Sequence, residues 1–261
     1  MHKSQGNKSK WYVTVKLKFT FIFVEQYILE SWVKKFPELT LIKIEGGIKD
    51  VTIVHRDLLI KRLGPLLIGY NFDKFRSIYP SYEACFTAYS LWQSSLNECF
   101  SPSANFVMTA VKDSRGEDWV LPLREPEKSI EQAGALARNQ ALFPMQGDIK
   151  LDRVLDTLTQ YADKSIRPLM GNAACARIWE AKLCIALYVN DVERAEHILA
   201  GIKEESKMWS EERMNTYHGG LENWLNLLQQ KIDERDKLMQ LINDKAADKM
   251  LAGLNVSEII K

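Results

Sequence analysis

The sequence contains few of the residues and motifs on which catalysis and metal binding most often depend. It has only four histidines (His2, His55, His197 and His218) and four cysteines, none of them arranged as C-x-x-C. No H-E-x-x-H or comparable ligand spacing occurs, which excludes the common zinc motifs. The chain also lacks G-x-S-x-G, G-x-x-x-x-G-K-[ST] and G-x-G-x-x-G, so the usual nucleophile elbow and phosphate-binding loops are missing. We therefore expect no catalytic residues, no cofactor and no metal.

The chain also has almost no net charge. Its 35 Lys and Arg residues against 34 Asp and Glu residues give a formal charge of +1. Nucleic-acid binding needs a concentrated positive field, so we expect no nucleic-acid partner. The early lysines are the one basic cluster: Lys3, Lys8, Lys10, Lys16 and Lys18. We interpret residues 1–10 as a disordered basic tail, with an electrostatic docking arm as the alternative.

Long hydrophobic runs are missing too. The stretch Trp11–Val24 is interrupted by Lys16 and Lys18, and Glu25 follows it where a secretory signal would have a small-residue cleavage site. It is too short to cross a bilayer. Three of the cysteines lie among apolar neighbours and are predicted to be reduced. The sequence thus predicts a cytoplasmic protein without a membrane partner.

One short motif resembles a kinase loop but fails its first test. Residues 53–63 contain His55-Arg56-Asp57, the start of the kinase pattern H-R-D-L-x-x-x-N. The position of the magnesium-binding Asn is occupied here by Arg62, and a cation cannot ligate a cation. We instead predict that Asp57 caps a short helix that ends at Gly64-Pro65.

The N-terminal part of the chain has the patterns of an antiparallel sheet. We predict a strand at 11–24, a helix at 25–36, a hairpin of 39–45 with 48–54, a strand at 66–72 and a hairpin over 104–123 with the turn D-S-R-G. The pattern at 82–92 fits a strand or a helix, and we interpret it as a strand. A basic β-arm paired with another chain is the alternative for the first strand. Residues 11–124 are therefore predicted to form a mainly antiparallel sheet region with a few helices.

The composition changes after the connector R-E-P-E-K at 124–128, where Ala, Leu, Glu and Lys become dominant. We predict helices at 129–143 and at 148–163 with Asp148 as N-cap, an αα-hairpin at 176–202, a long amphipathic helix at 221–251 and a short helix at 256–260. Residues 125–261 are thus predicted to be an α-helical region that shares one core with the sheet region. The expected fold class is α+β.

The αα-hairpin is the most regular segment of the sequence. It is similar to a single tetratricopeptide-type unit, with an aromatic residue near the end of the first helix and N-D-x-E-x-A leading into the second. No second copy follows at a period of about 34 residues, and a solenoid needs about three repeats. A generic helical hairpin is therefore the better interpretation.

Two aromatic patches are candidates for contact with another protein, because aromatic residues dominate interface hot spots. The first lies within residues 70–92 and contributes Tyr79, Tyr82 and Trp92. The second contributes Trp209 and Tyr217, with the acidic pair Glu211 and Glu212 between them.

These observations favour a non-enzymatic protein-binding module whose partner is another protein. A bacterial immunity-type or antitoxin-type inhibitor is the more specific form of this hypothesis. One alternative is an enzyme whose catalytic residues are dispersed in sequence. The other is a dimeric scaffold protein that associates through the helix at 221–251.

Overall fold

A computed structural model describes residues 26–44, 56–75, 81–101, 104–122 and 127–261. An antiparallel sheet of five strands forms the N-terminal half, and the C-terminal half is mostly helical. The predicted α+β fold class is therefore confirmed. The predicted tail at 1–10 and the predicted strands at 11–24 and 48–54 lie outside the described residues.

The elements follow one another in this order along the chain. The strands are β1 (Thr40–Ile44), β2 (Arg56–Leu63), β3 (Leu66–Phe75), β4 (Ser81–Ser90), β5 (Asn105–Ala110), β6 (Val120–Pro122), β7 (Ile149–Lys150), β8 (Val256–Ser257) and β9 (Ile259–Ile260). The helices are α1 (residues 26–35), α2 (Leu96–Cys99), α3 (Glu127–Gln140), α4 (Leu151–Tyr161), α5 (Arg167–Met170), α6 (Ala176–Tyr188), α7 (Val192–Glu205), α8 (Glu211–His218), α9 (Leu221–Asp233) and α10 (Arg235–Ala246). A π-helical turn (Ala162–Ile166) and two 3₁₀ turns (Asn172–Cys175 and Ser206–Met208) complete the set.

The main sheet has the order β1-β2-β3-β4-β5, with each neighbouring pair antiparallel. Between β2 and β3 the chain turns at Gly64-Pro65, and Gly64 has the positive φ of 52° that tight hairpin turns require at this position. In β3, a Cβ at Gly69 would lie 2.1 Å from the carbonyl oxygen of Leu59, so only glycine fits there.

The predicted helix that begins at Asp57 is wrong, because this segment is strand β2. Leu58, Leu59 and Ile60 are all fully buried, so both faces of the strand are covered. A strand of this kind lacks the alternation of apolar and polar residues that identifies a half-exposed strand, and a short apolar run is then indistinguishable from a buried helix.

The predicted hairpin over 104–123 is correct at its turn and wrong in its pairing. Asp113 Oδ1 accepts hydrogen bonds from the backbone N–H groups of Arg115 (2.8 Å) and Glu117 (3.0 Å), which fixes the D-S-R-G turn. Beyond the bridge between Lys112 and Asp118, however, β6 pairs with β4 and not with β5. Among the strands that the structure describes, β5 therefore pairs only with β4.

One face of the sheet is covered by α1 and α3. Trp32 of α1 and Phe36, which directly follows α1, pack on Tyr70 of β3, with ring centroids 5.4 and 5.0 Å from that ring. The Tyr70 hydroxyl donates to the carbonyl of Ala137 in α3 at 2.7 Å. The predicted helix at 25–36 is thus confirmed over residues 26–35, with Ile28 and Trp32 buried, and Pro37 follows shortly after its end.

The αα-hairpin is confirmed as α6 and α7. Asn190 adopts the left-handed conformation with φ 58° in the tight connection, and the side chain of Asp191 caps α7 by accepting from Arg194 N at 3.2 Å. The buried residues of this hairpin belong to the same hydrophobic cluster as those of the sheet.

The predicted long helix at 221–251 is wrong as a single element, because it breaks into α9 and α10 at Glu234, where φ is −108° and ψ is 37°. Both helices bury an apolar side against the core of the same chain, with Leu228 of α9 and Ile242 of α10 fully buried.

The predicted short helix at 256–260 is also wrong, because β8 pairs in parallel with β2 and β9 pairs in parallel with β7. The buried Lys61 ammonium binds this end of the chain, donating to Ser257 Oγ at 2.6 Å and to Met145 O at 3.0 Å. Asp148 is not the N-cap of α4, since its Oδ1 accepts from Glu258 N at 2.8 Å and Lys150 occupies the cap position.

In the part of the chain that the structure describes, no helix combines the length and the apolar character needed to cross a membrane. A cytoplasmic location stays a prediction.

Candidate functional site

A cleft of about 730 Å³ lies beside the outer edge of the sheet. Three parts of the chain enclose it: residues 105–112 around β5, residues 161–178 from the end of α4 to the start of α6, and residues 213–218 of α8. We call this depression the β5 cleft.

The floor of the β5 cleft includes a strand edge that side chains protect. Val111 N donates to Ala84 O of β4, so by alternation the backbone groups of Met108, Ala110 and Lys112 point away from the sheet. The Tyr161 hydroxyl accepts from Met108 N at 3.1 Å and donates to Met108 O at 3.0 Å.

The Gln140 side-chain amide protects the backbone of Lys112 in the same way. Its Oε1 accepts from Lys112 N and its Nε2 donates to Lys112 O, both at 2.7 Å. Of these three positions, only Ala110 has outward backbone groups to which no described side chain bonds. Side-chain protection of this kind is how proteins prevent unwanted strand pairing at an exposed edge.

The outer wall of the cleft, residues 162–175, is irregular because of Pro168. Proline has no N–H to continue the helical hydrogen bonds, and the chain passes through the π-helical turn into the short helix α5. Arg167 holds this wall to α7: its guanidinium donates to Asn172 Oδ1 at 3.0 Å and to Glu205 Oε1 at 3.1 Å. The wall is therefore fixed in place although its outer face is irregular.

Helix α8 forms the opposite side of the cleft. Ser210 caps its N-terminus by accepting from Arg213 N, and the left-handed Gly219 (φ 69°) ends it. The last turn presents Tyr217 and His218 to the cleft. His218 also packs on Trp224 of α9, with ring centroids 5.7 Å apart, so α8 is anchored to the helical core.

Large apolar side chains are exposed around the cleft. The four that line it and are more than half exposed are Met108 (58%), Leu169 (83%), Met170 (52%) and Tyr217 (67%). They come from three separate parts of the chain and meet at one depression. A cluster of this kind marks a contact surface far more often than scattered apolar residues do.

The charges that line the cleft are of one sign. Four cations, Lys112, Lys164, Arg177 and Arg213, lie among its lining residues, and none of the described lining residues is Asp or Glu. Lys112 is paired with Asp118 at the rim, and Arg213 donates to the carbonyl of Met170. This is a local excess of positive charge in a chain with almost no net charge.

Three titratable groups in the cleft have shifted pKa values. Burial raises the pKa of the Tyr161 phenol, which keeps the hydroxyl protonated for its bonds to Met108. Burial lowers the pKa of the Arg177 guanidinium, against the attraction of Glu180. Burial and the neighbouring charge of Arg177 lower the pKa of His218 below the 6.5 of an unperturbed imidazole, which favours the neutral ring.

The cleft continues into two smaller depressions. One of about 180 Å³ extends towards β4 past Arg177 and Glu180, and one of about 570 Å³ extends along α9 and α10. Both share Tyr217 and His218 with the β5 cleft. The lining of the larger extension includes Leu227, which is also exposed. A groove therefore passes around the end of α8.

The candidate contact residues from the sequence fall in different places. Tyr217 lines the cleft, and Glu211 and Glu212 are exposed in the first turn of the same helix, away from the cleft lining. Trp92 and Trp209 are buried, at 5% and 8% exposure, so they contribute to packing in this structure.

Two further candidates cannot be placed. Tyr79 lies outside the described residues, and so does the side chain of Tyr82. Sequence reasoning also missed Met108, Leu169 and Met170. The run Pro168-Leu169-Met170-Gly171 was the available signal, since its apolar residues follow a helix-breaking proline and fit no amphipathic stripe.

The thiols are poor nucleophiles. Burial raises the pKa of Cys99 to about 11 and also raises the pKa values of Cys175 and Cys184. Cys184 is fully buried whereas His197 is exposed on α7, so these two do not form a catalytic pair. None of the four cysteines forms a disulfide, and all four are buried. Within the described ranges, no three His, Cys, Asp or Glu side chains gather closely enough to hold a metal ion.

No family model matches this chain, no curated protein is significantly similar to it, and no solved structure resembles it significantly.

Proposed function

We propose that this protein is a non-catalytic protein-binding module whose contact surface is the β5 cleft. One observation carries the proposal: four exposed, large apolar side chains from three parts of the chain surround a depression lined by four cations and, among its described residues, no carboxylate. Apolar anchors within a charged rim are the usual composition of a protein contact surface.

The exposure of the apolar residues favours a macromolecular partner over a small ligand. A small-molecule site encloses most of the ligand surface, and its apolar residues line a concave interior. Leu169, at 83% exposure, stands at the rim of the cleft. Only a surface that extends beyond the depression would cover Leu169 together with Tyr217.

An inhibitor of the immunity type is a special form of this proposal, in which the bound segment belongs to an enzyme whose activity falls on binding. A dimeric scaffold would need another surface than the apolar side of α9 and α10, because that side packs within the same chain.

Site-specific photo-crosslinking in the native cells tests the proposal. The photoreactive residue p-benzoylphenylalanine replaces Leu169 in the cleft or, as the control, the exposed His197 on α7. We expect a discrete protein adduct from position 169 and none of the same mass from position 197.

The adduct should weaken with Lys164→Glu, which reverses a charge in the cleft, and persist with Lys249→Glu, which reverses an exposed charge outside it. A chain that gives no adduct at 169, or equal adducts at both positions, would contradict the proposal.

A dispersed-residue enzyme remains the second candidate, because three groups with shifted pKa values, Tyr161, Arg177 and His218, line the same cleft. Against it, the Tyr161 hydroxyl is already bonded to the backbone of Met108. We expect wild-type protein and His218→Gln to hydrolyse p-nitrophenyl acetate and p-nitrophenyl phosphate at the same background rates. Turnover that the substitution abolishes would favour the enzyme.

A further inference from the structure

The protected edge of β5 restricts the secondary structure of a partner segment that can bind in the β5 cleft. An added strand would have to pair with the outward backbone groups of Met108, Ala110 and Lys112 in turn. The Tyr161 hydroxyl already bonds the N–H and C=O of Met108, and the Gln140 amide already bonds the N–H and C=O of Lys112. Along these three positions a strand could pair freely only at Ala110, and this interruption of the ladder disfavours recognition by strand addition.

The apolar side chains around the cleft suit a helix better. They are two Met residues, one Leu and one Tyr, and they belong to a strand, a short helix and the end of a longer helix. Flexible thioether side chains adapt to the apolar stripe of an amphipathic helix, which is how helix-binding grooves commonly work. The extension past Tyr217 along α9 gives such a helix room to continue.

The positive charge of the cleft determines which charges the polar side of such a helix should carry. Lys164 is exposed in the cleft wall, and no carboxylate of the described residues lies within salt-bridge distance of it. Arg213 faces it from α8, and Arg177 lies deeper in the cleft. A partner with acidic side chains beside its apolar stripe would pair with these cations, and a basic one would be repelled.

The same charge argument disfavours one occupant from within the chain. The alternating segment 11–24 is apolar enough to lie in a groove, but it carries Lys16 and Lys18 and follows Lys10. Placing these charges beside Lys164 and the two arginines would add repulsion. The occupant is therefore expected to come from another protein.

From the blocked strand edge, the apolar rim and the single sign of charge, we infer that the β5 cleft binds an acidic amphipathic α-helix of a partner protein. This inference rests on the proposed function and specifies its partner class. The partner helix places its apolar stripe on Leu169, Met170 and Tyr217 and its carboxylates towards Lys164 and Arg213.

Fluorescence anisotropy with designed peptides tests this assignment on the full chain. The probe is a fluorescein-labelled peptide of about 18 residues, long enough to form a helix on binding, with leucines at helical spacing and glutamates on the polar side. The matched probes carry lysine in place of glutamate, the same residues in scrambled order, or the same residues in strict alternation. Sodium dodecanoate and a labelled single-stranded RNA of similar length represent a small anion and another polyanion.

We expect the acidic amphipathic peptide to bind at least about tenfold more tightly than every other labelled probe. Raising the salt concentration from about 0.05 to about 0.5 M should weaken it. Leu169→Ser should weaken binding roughly tenfold or more, as the loss of an interface anchor does. Lys164→Glu should weaken it roughly threefold or more, and Lys249→Glu should leave it unchanged. The thermal midpoints of all three variants should match wild type, since the substituted side chains are exposed.

The inference fails if the alternating, scrambled or lysine peptide, the RNA or dodecanoate binds as tightly as the acidic helix. It fails equally if no peptide binds, or if Leu169→Ser leaves the dissociation constant unchanged. A protein adduct at position 169 in the photo-crosslinking experiment, combined with any of these results, would retain the protein-binding function and reject the acidic helix.

Discussion

The α6–α7 hairpin and the wall of the β5 cleft lie next to each other in the chain and treat their apolar residues in opposite ways. In α6, Leu183, Ile185 and Leu187 are fully buried. In the wall at 162–175, Leu169 and Met170 are mostly exposed. Leu169 and Met170 are only a few residues from α6 in the chain, yet they do not join the buried core. The exposed residues contribute little to the buried core, and this is the property that the proposed contact surface requires.

The largest expected effect is on the free energy of unfolding, when the same leucine-to-alanine substitution is made in each of these two regions. Leu183→Ala removes a fully buried side chain and should lower the free energy of unfolding by about 2–5 kcal/mol. Leu169→Ala alters an exposed side chain and should change it by less than about 0.5 kcal/mol. Urea denaturation measures both. A cost above about 1 kcal/mol at Leu169 would mean that the wall packs as tightly as the hairpin.

A smaller effect is expected at the floor of the cleft, from a matched pair of tyrosines. Tyr161→Phe leaves the N–H and C=O of Met108 without their hydroxyl partner and should cost about 1–2 kcal/mol. Tyr217→Phe removes an exposed hydroxyl and should cost nothing measurable. We also expect Tyr161→Phe, with its strand edge unprotected, to self-associate more at high concentration in sedimentation velocity. Equal behaviour of the two variants would show that Tyr161 does not protect the edge.

The smallest effect concerns pH. Because the pKa of His218 is lowered in the folded state, the unfolded chain binds more protons than the folded chain as pH falls below about 6.5. This contribution to the free energy of unfolding is present above that pH and is lost as pH falls through the folded pKa. His218→Gln should therefore flatten the decline in stability between about pH 7 and pH 5, measured by urea denaturation. His197→Gln, at an exposed position, should not.

The elements that could be predicted from the sequence are those that bury one side against the core and expose the other. The amphipathic stripes of α1, α6 and α7 predicted their packing, and the Asn190-Asp191 break predicted the connection between the last two. Strand β2 could not be predicted, because coverage of both faces removes the alternation on which a strand assignment depends. The break between α9 and α10 was visible only as a lapse in the apolar stripe at Arg235-Asp236.

The site was predictable in only one residue of the cleft, Tyr217. Its other apolar members are separated by tens of positions in the sequence, and their meeting depends on how α5, α8 and the edge of β5 pack. Sequence reasoning favoured aromatic residues, and it selected Trp92 and Trp209, which the core requires. Exposure depends on tertiary packing, which no local pattern in this sequence reveals.

NMR of the protein labelled with [methyl-¹³C]methionine tests the central claim most directly, because methionines lie both in the cleft and away from it. On titration with the acidic amphipathic peptide, we predict that the methyl signals of Met108 and Met170 shift and reach saturation. Those of the buried Met145 and of the exposed Met250, which follows α10 in the chain, should stay in place. Shifts at Met250 as large as those in the cleft, or no shift at Met108 and Met170, would contradict the account.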